Sequence, residues 1–276
     1  MKMMSDKKIN ALSCAIRKDI LNISHKANVG HVGSAFSVVE ILIALYFNVL
    51  RIKPLLPNWK DRDRFILSKG HAANALYPVL AKKGYFPKKY LQTYCRNGGL
   101  LGEHPETHYI KGIELATGSL GHGLSVGAGI ALGAKKLKKT YRSFVLISDA
   151  ECDEGETWEA ALFAGHHKLD NLIAIIDYNK VQALGTTREV LDIEPLAAKW
   201  KSFRWHVREV DGHNIRELTQ ILRSAPLITG KPTLVIAHTV RGKGVTFMEH
   251  ELAWHYLSPT IKHYEMAIKE LQKNYA

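Results

Sequence analysis

The sequence has little of what marks several classes of protein. Its 276 residues include only three cysteines, Cys14, Cys95 and Cys152, with no Cys-x-x-Cys pair, so neither a disulfide framework nor a zinc site is indicated. No apolar run is long enough to span a bilayer, and residues 1–10 lack the apolar core of a signal peptide. Internal repeats, low-complexity tracts and long linkers are also missing from the sequence. These absences predict a cytoplasmic protein without a membrane segment.

Basic side chains outnumber acidic ones, with 38 Lys and Arg against 26 Asp and Glu and a formal net charge of +12. This excess favours anionic partners in general and leaves a nucleic-acid binder open as an alternative. The charges are scattered, however, and the one tight basic group, in residues 135–142, follows a Gly/Ala-rich helical stretch. Basic residues there complement the negative end of a helix. We therefore expect no nucleic-acid partner.

Two short β-branched runs, residues 143–148 (SFVLIS) and 172–177 (LIAIID), predict buried strands of a parallel sheet. Residues 156–169 between them carry apolar side chains on one helical face, which completes a βαβ unit. Further strands are predicted at residues 65–67, 206–210 and 233–238, and further helices at 9–26, 37–50, from 72, 124–134, 214–223 and 261–273. The pattern predicts a doubly wound α/β fold, a mainly parallel sheet flanked by helices, in a single domain over residues 1–276.

Asp149 and Asn179 come directly after the two apolar runs, where each predicted strand ends. In open parallel sheets, ligands bind beyond the carboxyl ends of the strands, so these side chains are expected to meet at one edge. Carboxylate and amide oxygens suit Mg²⁺ or Ca²⁺. Asp and Asn are also favoured in turns and helix caps, so a structural role explains them equally well.

A glycine-rich segment, residues 117–123 (TGSLGHG), opens the Gly/Ala-rich stretch. Glycines before a helix let backbone N–H groups approach a phosphate, although tight helix packing explains the same pattern. The segment is neither a Walker A loop nor a dinucleotide-binding GxGxxG. Four histidines, His31, His71, His104 and His255, stand beside Gly, Pro or a predicted loop, where they are free to serve a site or simply to lie on the surface.

Six ordered blocks of the sequence resemble the N-terminal part of transketolases. They are NVGHVGSAFS (28–37), RDRFILSKGHAANALY (62–77), LGEHPE (101–106), GIELATGSLGHGLSVGAGIALG (112–133), SDAECDEGETWEAALFAGHHKLDNLIAIIDYN (148–179) and WH (254–255). Their order and spacing match the family from near residue 10 to near residue 255. The resemblance implies a thiamine diphosphate-binding fold and a transferase that moves a two-carbon ketol unit from a ketose to an aldose.

The resemblance also implies which residues bind the cofactor and its metal. The side chains of Asp149 and Asn179 and the backbone carbonyl of Val181 would hold a divalent cation, Mg²⁺ or Ca²⁺. Thiamine diphosphate would lie against His71, Gly118, Ser119, Leu120, Asp149, Ala150, Asn179, Val181 and His255. For Asp149 and Asn179 this agrees with the oxygen-ligand interpretation of the strand ends.

Catalytic roles are implied in the same way. His31, His104 and His255 resemble histidines that line the substrate channel and assist proton transfers beside the cofactor. Glu154 resembles a carboxylate that links active sites across the subunit interface. Four residues depart from the family pattern that the resemblance implies, namely Val32 for proline, His122 for glutamine, and Ser148 and Ala150 for glycine. These departures are expected to affect substrate preference or cofactor affinity.

No segment of the sequence resembles the pyrimidine-binding domain of transketolases. We therefore expect the N-terminal subunit of a split enzyme, active only with a C-terminal partner chain that carries that domain, in a heterotetramer of two copies of each chain. Its substrates are expected to be sugars or sugar phosphates. Two alternatives stay open: a related thiamine diphosphate enzyme acting on a specialised or activated sugar, and a non-catalytic binding homologue.

Overall fold

Five parallel strands form the centre of the fold in the computed structural model, which describes residues 4–275. They are β1 (Arg64–Leu67), β2 (Ser143–Ser148), β3 (Leu172–Tyr178), β4 (His206–Asp211) and β5 (Thr233–His238). Their order across the sheet is β1-β2-β3-β5-β4. Every residue of β3 is buried, as expected for a central strand that is covered on both faces. The predicted parallel α/β sheet is confirmed.

Helices cover both faces of this sheet. They are α1 (Asp6–Ala27), α2 (Val32–Ser37), α3 (Val39–Ile43), α4 (Ala73–Lys83), α5 (His122–Lys136), α6 (Gly155–His166), α7 (Thr187–Val190), α8 (Leu196–Ser202), α9 (Ile215–Ser224) and α10 (Ile261–Asn274), with a π-helical turn at Ala44–Val49 and 3₁₀ turns at Gly70–Ala72, Lys88–Thr93, Ala150–Asp153 and Leu252–His255. Among residues 4–275, no helix is long and apolar enough to cross a membrane.

Two apolar clusters lie on opposite faces of the sheet, because successive strand residues point to opposite sides. Phe144 and Leu146 of β2 belong to the cluster that contains residues of α1, α3, α4 and α9. Val145 and Ile147 belong to the other cluster, with residues of α5, α6 and α8. The carboxyl ends of β2 and β3 therefore emerge between two helical layers.

The chain differs from the prediction over residues 37–50, where the apolar spacing predicts one continuous helix. Instead, α2 ends at Ser37, α3 begins at Val39, and a π-helical turn follows. The Ser37 hydroxyl donates to Asp177 Oδ2 at 2.7 Å, which ties this break to the end of β3. The other predicted strands and helices are present, with bounds shifted by a few residues.

Candidate active site

A cavity of about 390 Å³ opens at the carboxyl ends of β2 and β3. It collects segments that are far apart in the sequence, as the strand-end rule predicts for a parallel sheet. Among the predicted site residues, those in its wall are His31, His71, His104, Leu120, Asp149, Ala150, Glu154, Asn179, Val181 and His255. A second cleft of about 440 Å³, beside Trp158 and Phe203, contains none of the predicted site residues.

Asp149 and Asn179 lie close together at this edge, and backbone amides hold both side chains. Lys180 N–H donates to Asp149 Oδ2 at 2.6 Å, which joins the end of β2 to the turn after β3. Ala150 N–H donates to Asp149 Oδ1 at 2.9 Å. Asn179 Oδ1 accepts from Val181 N–H at 3.1 Å. The carboxylate, the amide and the following backbone are thus fixed in one place.

The electrostatics of Asp149 fit a cation site. Burial, together with the nearby Asp177 carboxylate, raises the pKa of Asp149 to about 7, because the charged form is poorly solvated there. A divalent cation would supply the missing positive charge, and a carboxylate with amide and carbonyl oxygens is a suitable donor set. No group of three His, Cys, Asp or Glu side chains within residues 4–275 is arranged to bind a metal. A cation here would therefore also need the Asn179 amide and a backbone oxygen.

Asp177, near the end of β3, is a site residue that the sequence analysis missed. Its Oδ2 accepts from Ser37 Oγ and from Asn179 Nδ2 at 3.1 Å and pairs with Lys69, while its Oδ1 accepts from Thr239 Oγ1. Although burial opposes ionisation, the Lys69 ammonium lowers the pKa of Asp177. Because the Asn179 nitrogen donates to Asp177, the Asn179 oxygen is oriented away from it. The only signal in the sequence is a carboxylate in an otherwise apolar strand.

Two buried cations in the cavity wall, Lys69 and Arg241, were also missed. Lys69 pairs with Asp177 and donates to Ser34 O at 3.2 Å. Arg241, only 1% exposed, donates to the Val181 carbonyl at 2.9 Å. Since a carbonyl oxygen has two lone pairs, this contact leaves Val181 able to bind a cation as well. Lys69 is neutralised by Asp177, so Arg241 is the buried cation in this wall that favours an anionic group.

The four predicted histidines converge on the cavity. The ring centroid of His31 lies 5.0 Å from that of His71 and 5.3 Å from that of His255, and the rings of His71 and His104 are 4.6 Å apart. Burial lowers the pKa of all three of His31, His71 and His255, to about 4 for His71 and about 3 for His255, with the Arg241 charge adding to the effect on His255. These three imidazoles are therefore neutral at neutral pH.

Each neutral imidazole offers one donor and one acceptor nitrogen. Arg241 Nη2 donates to His255 Nδ1 at 2.6 Å, which places the His255 proton on Nε2. The buried Nε2 of His104 has no hydrogen-bond partner within residues 4–275, so it is available to a ligand. His31 Nδ1 lies 3.2 Å from Oε1 of Glu103. The sequence analysis did not single out Glu103.

The glycine-rich segment lies beside the cavity, and its glycines permit close packing. A Cβ on Gly118 would lie 3.0 Å from His104 Cδ2, and one on Gly123 would lie 2.3 Å from Ser68 Oγ. The fully buried Glu151 joins this segment to β2, since it accepts from Gly121 N–H at 3.0 Å and from Ser148 N–H, at the end of β2, at 2.8 Å. The structure therefore supports the packing explanation for these glycines, while Leu120 reaches the cavity wall.

The remaining predicted residues lie at or outside the rim. Glu154 is exposed and lines the mouth of the cavity. Ser119 and His122 are exposed and are not among the residues of the wall, and Val32 is buried next to His31. The structure thus brings most of the predicted set together, with Gly118 and Ser119 just outside the cavity.

The fold and the cavity define an α/β protein with a candidate ligand site at the carboxyl edge of its parallel sheet. The family described as "Transketolase, thiamine diphosphate binding domain" matches residues 8–270, and the chain belongs to this family. It is therefore a member of the transketolase transferases. The predicted family is confirmed, whereas the roles of individual site residues stay predictions.

Similar proteins include relatives of nearly the same length. The chain is 45% identical to the 6-deoxy-6-sulfo-D-fructose transketolase subunit SqwG of Clostridium sp. (strain MSTE9), over 94% of both chains. It is 43% identical to an apulose-4-phosphate transketolase subunit of Phocaeicola vulgatus, over 93% of this chain and 91% of that one. Among solved structures, a transketolase variant from Pichia stipitis superposes with a TM-score of 0.89 at 31% identity, over 99% of this chain and 41% of that chain. The chain thus spans less than half the length of that transketolase.

Proposed function

We propose that this chain is the N-terminal subunit of a two-chain transketolase, which moves a two-carbon ketol unit from a ketose to an aldose. The observation that carries the proposal is its overlap, at 43–45% identity and over at least 91% of each relative, with proteins named as transketolase subunits. The cavity adds a site whose charges suit a metal-bound diphosphate. We also propose that residues 1–276 form a single domain and that the protein is cytoplasmic.

We propose that the cavity binds the diphosphate of thiamine diphosphate together with Mg²⁺ or Ca²⁺. Asp149, Asn179 and the Val181 carbonyl would hold the cation, and Arg241 would face the diphosphate charge. The set predicted to contact the cofactor also includes His71, Gly118, Ser119, Leu120, Ala150 and His255. When bound, thiamine diphosphate supplies the carbon nucleophile and the electron sink of ketol transfer.

The histidines of the wall are suited to proton transfer. His31 and His255 are held neutral by burial, and a neutral imidazole carries one donor and one acceptor nitrogen. In His255 the acceptor nitrogen, Nδ1, already contacts Arg241, so its Nε2–H is the group left for a ligand. His255 lines the cavity with its proton on Nε2, and His104 offers its unpartnered Nε2. General acid–base catalysis by one such group contributes about 10² to 10⁴-fold in rate.

We propose that a C-terminal partner chain with the pyrimidine-binding domain covers the mouth of the cavity. Exposed apolar side chains surround this mouth, with Leu184 82% and Tyr256 67% exposed, and Glu154 lies in the same rim. Apolar surface at a functional rim favours a protein partner. We propose two copies of each chain, since closed twofold assemblies are the commonest.

The names of the relatives also suggest the kind of substrate. One is named for a sulfonated ketose and two for a phosphorylated one. We therefore propose a ketose donor that carries a terminal anionic group, within the broader class of sugars and sugar phosphates. Sulfonate and phosphate share the negative charge that such a site would recognise, so both are tested as donors.

The test is a ketol-transfer assay with the chain alone, with its candidate partner, and with the partner alone. We expect transfer only from the mixture, with thiamine diphosphate and Mg²⁺ present. We also expect a lower KM for sulfonated or phosphorylated ketoses than for the neutral sugars. The Asp149→Asn chain, mixed with the same partner, is the matched control for activity from contaminants. Transfer by this chain alone would contradict the two-chain proposal.

A further inference from the structure

Three side chains behind the cavity, Arg17, Glu40 and His213, form a buried polar network. None of them lines the cavity itself. We propose that this network is a positioning device: it fixes the loop at residues 239–244 and thereby places the Arg241 guanidinium for the diphosphate of the cofactor. The inference rests on the proposed function, since it concerns a ligand of the same cavity.

The network joins three elements of the fold. Arg17 of α1, whose side chain is fully buried, donates from Nη1 to Glu40 Oε1 at 2.6 Å and from Nη2 to Glu40 Oε2 at 2.8 Å. Glu40 belongs to α3, and its Oε2 also lies 2.9 Å from Nδ1 of His213, in the turn after β4. The paired geometry holds the carboxylate in one orientation.

Two hydrogen bonds connect this network to the loop. Val240 N–H donates to His213 Nε2 at 2.8 Å, and Arg17 Nε donates to the Lys243 carbonyl at 2.8 Å. Because Nε2 of His213 accepts, its proton resides on Nδ1, where it donates to Glu40. His213 is therefore a bridge with one fixed tautomer, and the two anchored loop residues flank Arg241.

The loop itself has a constrained path. Gly242 has φ +76° and its N–H donates to the Gly33 carbonyl at 3.0 Å, while a Cβ on Gly242 would lie 2.2 Å from the Met248 carbonyl oxygen. A Cβ on Gly33 would lie 3.1 Å from Arg241 Nε, so the arginine packs directly on that glycine. The polar network thus contacts the loop at Val240 and Lys243, while Arg241 between them lines the cavity.

His213 offers the cleanest way to perturb the loop. Its side chain is 14% exposed, against 0% for Arg17 and 6% for Glu40. Removing Arg17 or Glu40 would leave a buried charge without its partner and destabilise the whole fold. Replacing His213 leaves the Arg17–Glu40 pair in place and removes the anchor at Val240.

The experiment compares His213→Asn with the wild-type chain. Asparagine is too short to reach both Glu40 and Val240. The side chain of His213→Gln reaches further and, like the imidazole, carries a donor and an acceptor. The control is His238→Asn, which breaks a histidine–carboxylate contact of the same 2.9 Å length, to Glu209, at the end of β5. If His213→Asn does not fold, His213→Phe, which keeps the ring shape and loses both bonds, takes its place.

Two readouts are measured for each variant. The first is amide hydrogen exchange of the cofactor-free chain, and the second is thiamine diphosphate affinity with Mg²⁺ and the partner chain, by calorimetry. We expect His213→Asn to speed exchange over residues 240–244 and to weaken the affinity, each by about tenfold, the value of one hydrogen bond. Exchange in β2 and β3 should not change, His238→Asn should behave as wild type, and His213→Gln should recover part of the loss.

Unchanged exchange over residues 240–244 in the His213 variant would overturn the inference. So would an equal rise in exchange across β2 and β3, because that would make the network a general support of the fold. Failure of the proposed function would look different. The wild-type complex would then bind no thiamine diphosphate, while hydrogen exchange of the cofactor-free chain would still show whether His213 fixes the loop.

Discussion

Replacing Asp149 by asparagine is expected to stabilise the metal-free chain and at the same time to abolish tight cofactor binding. The pKa of Asp149 is raised from 3.8 to about 7 by burial and by the neighbouring Asp177 carboxylate. Its ionised form is therefore less stable in the folded chain than in the unfolded one. Asparagine has nearly the same shape and cannot ionise, so the variant avoids that cost.

The magnitude follows from the same pKa values. The difference between 3.8 and about 7 corresponds to about 4 kcal/mol of destabilisation at pH above 7. Both Asp149 oxygens accept backbone N–H groups, and asparagine keeps only one acceptor, which costs about 1–3 kcal/mol. The net expectation at pH 8 is a gain of about 1–3 kcal/mol in the free energy of unfolding.

The stability difference between Asp149→Asn and the wild type should also depend on pH. A carboxyl group with a raised folded pKa binds more protons in the folded chain between pH 3.8 and about pH 7, so its contribution to stability is lost as the pH rises through that window. Near pH 4 only the lost acceptor matters, so Asp149→Asn should be less stable than the wild type by about 1–3 kcal/mol. It should overtake the wild type as the pH rises and keep a constant advantage above about pH 7. Denaturant unfolding of the chain in EDTA, at several pH values, measures it.

Asp177→Asn is the matched control at the same sheet edge. The pKa of Asp177 is lowered, since the Lys69 ammonium outweighs burial, and its loss leaves Lys69 buried without a partner. This variant should lose about 3–5 kcal/mol of stability. In the Asp149→Asn complex, thiamine diphosphate affinity should fall by more than about 100-fold, because a direct ligand is removed. A less stable Asp149→Asn chain at pH 8, or one with wild-type cofactor affinity, would refute the reasoning.

Further predictions separate the roles of other residues. His255→Ala should lower turnover by about 10² to 10⁴-fold with little change in cofactor affinity, in steady-state assays of the two-chain enzyme. His71→Ala should weaken cofactor affinity first, as calorimetry would measure. Gly123→Ala should cost about 1–3 kcal/mol in unfolding experiments, because its Cβ would lie 2.3 Å from Ser68 Oγ. Gly129→Ala, in the same helix with open space around its Cβ, should stabilise by up to about 1 kcal/mol.

Much of the fold was predictable because the strands carry a local signal. The apolar runs ending before Asp149 and Asn179 correspond to β2 and β3, and parallel topology then brings those two residues to one edge. The break between α2 and α3 was not predictable in this way. At this break the Ser37 hydroxyl contacts Asp177, a residue 140 positions away in the sequence, which no local pattern reveals.

The site was predictable only in part, for a similar reason. His31, His71, His104 and His255 stand out by their neighbours, but nothing local places them around one cavity, and only the family resemblance gathered them. Nothing in the sequence indicated that Lys69 and Arg241 belong to the site, because they are two of 38 basic residues. Their burial, and so their importance, arises from packing between distant segments.

Among the buried charged side chains at this edge of the sheet, Lys69 and Asp177 form a pair, whereas Asp149 and Arg241 have no partner of opposite charge within residues 4–275. Lys69 and Asp177 neutralise each other. The hydrogen bonds of Asp149 come from neutral backbone amides, and Arg241 contacts the neutral Val181 carbonyl and His255 ring. A cation bound to a diphosphate would bring positive charge to Asp149 and negative charge to Arg241. The free chain therefore bears an electrostatic cost on each side that such a ligand would relieve, and this is why we expect the metal and the cofactor to bind cooperatively, each weakly without the other.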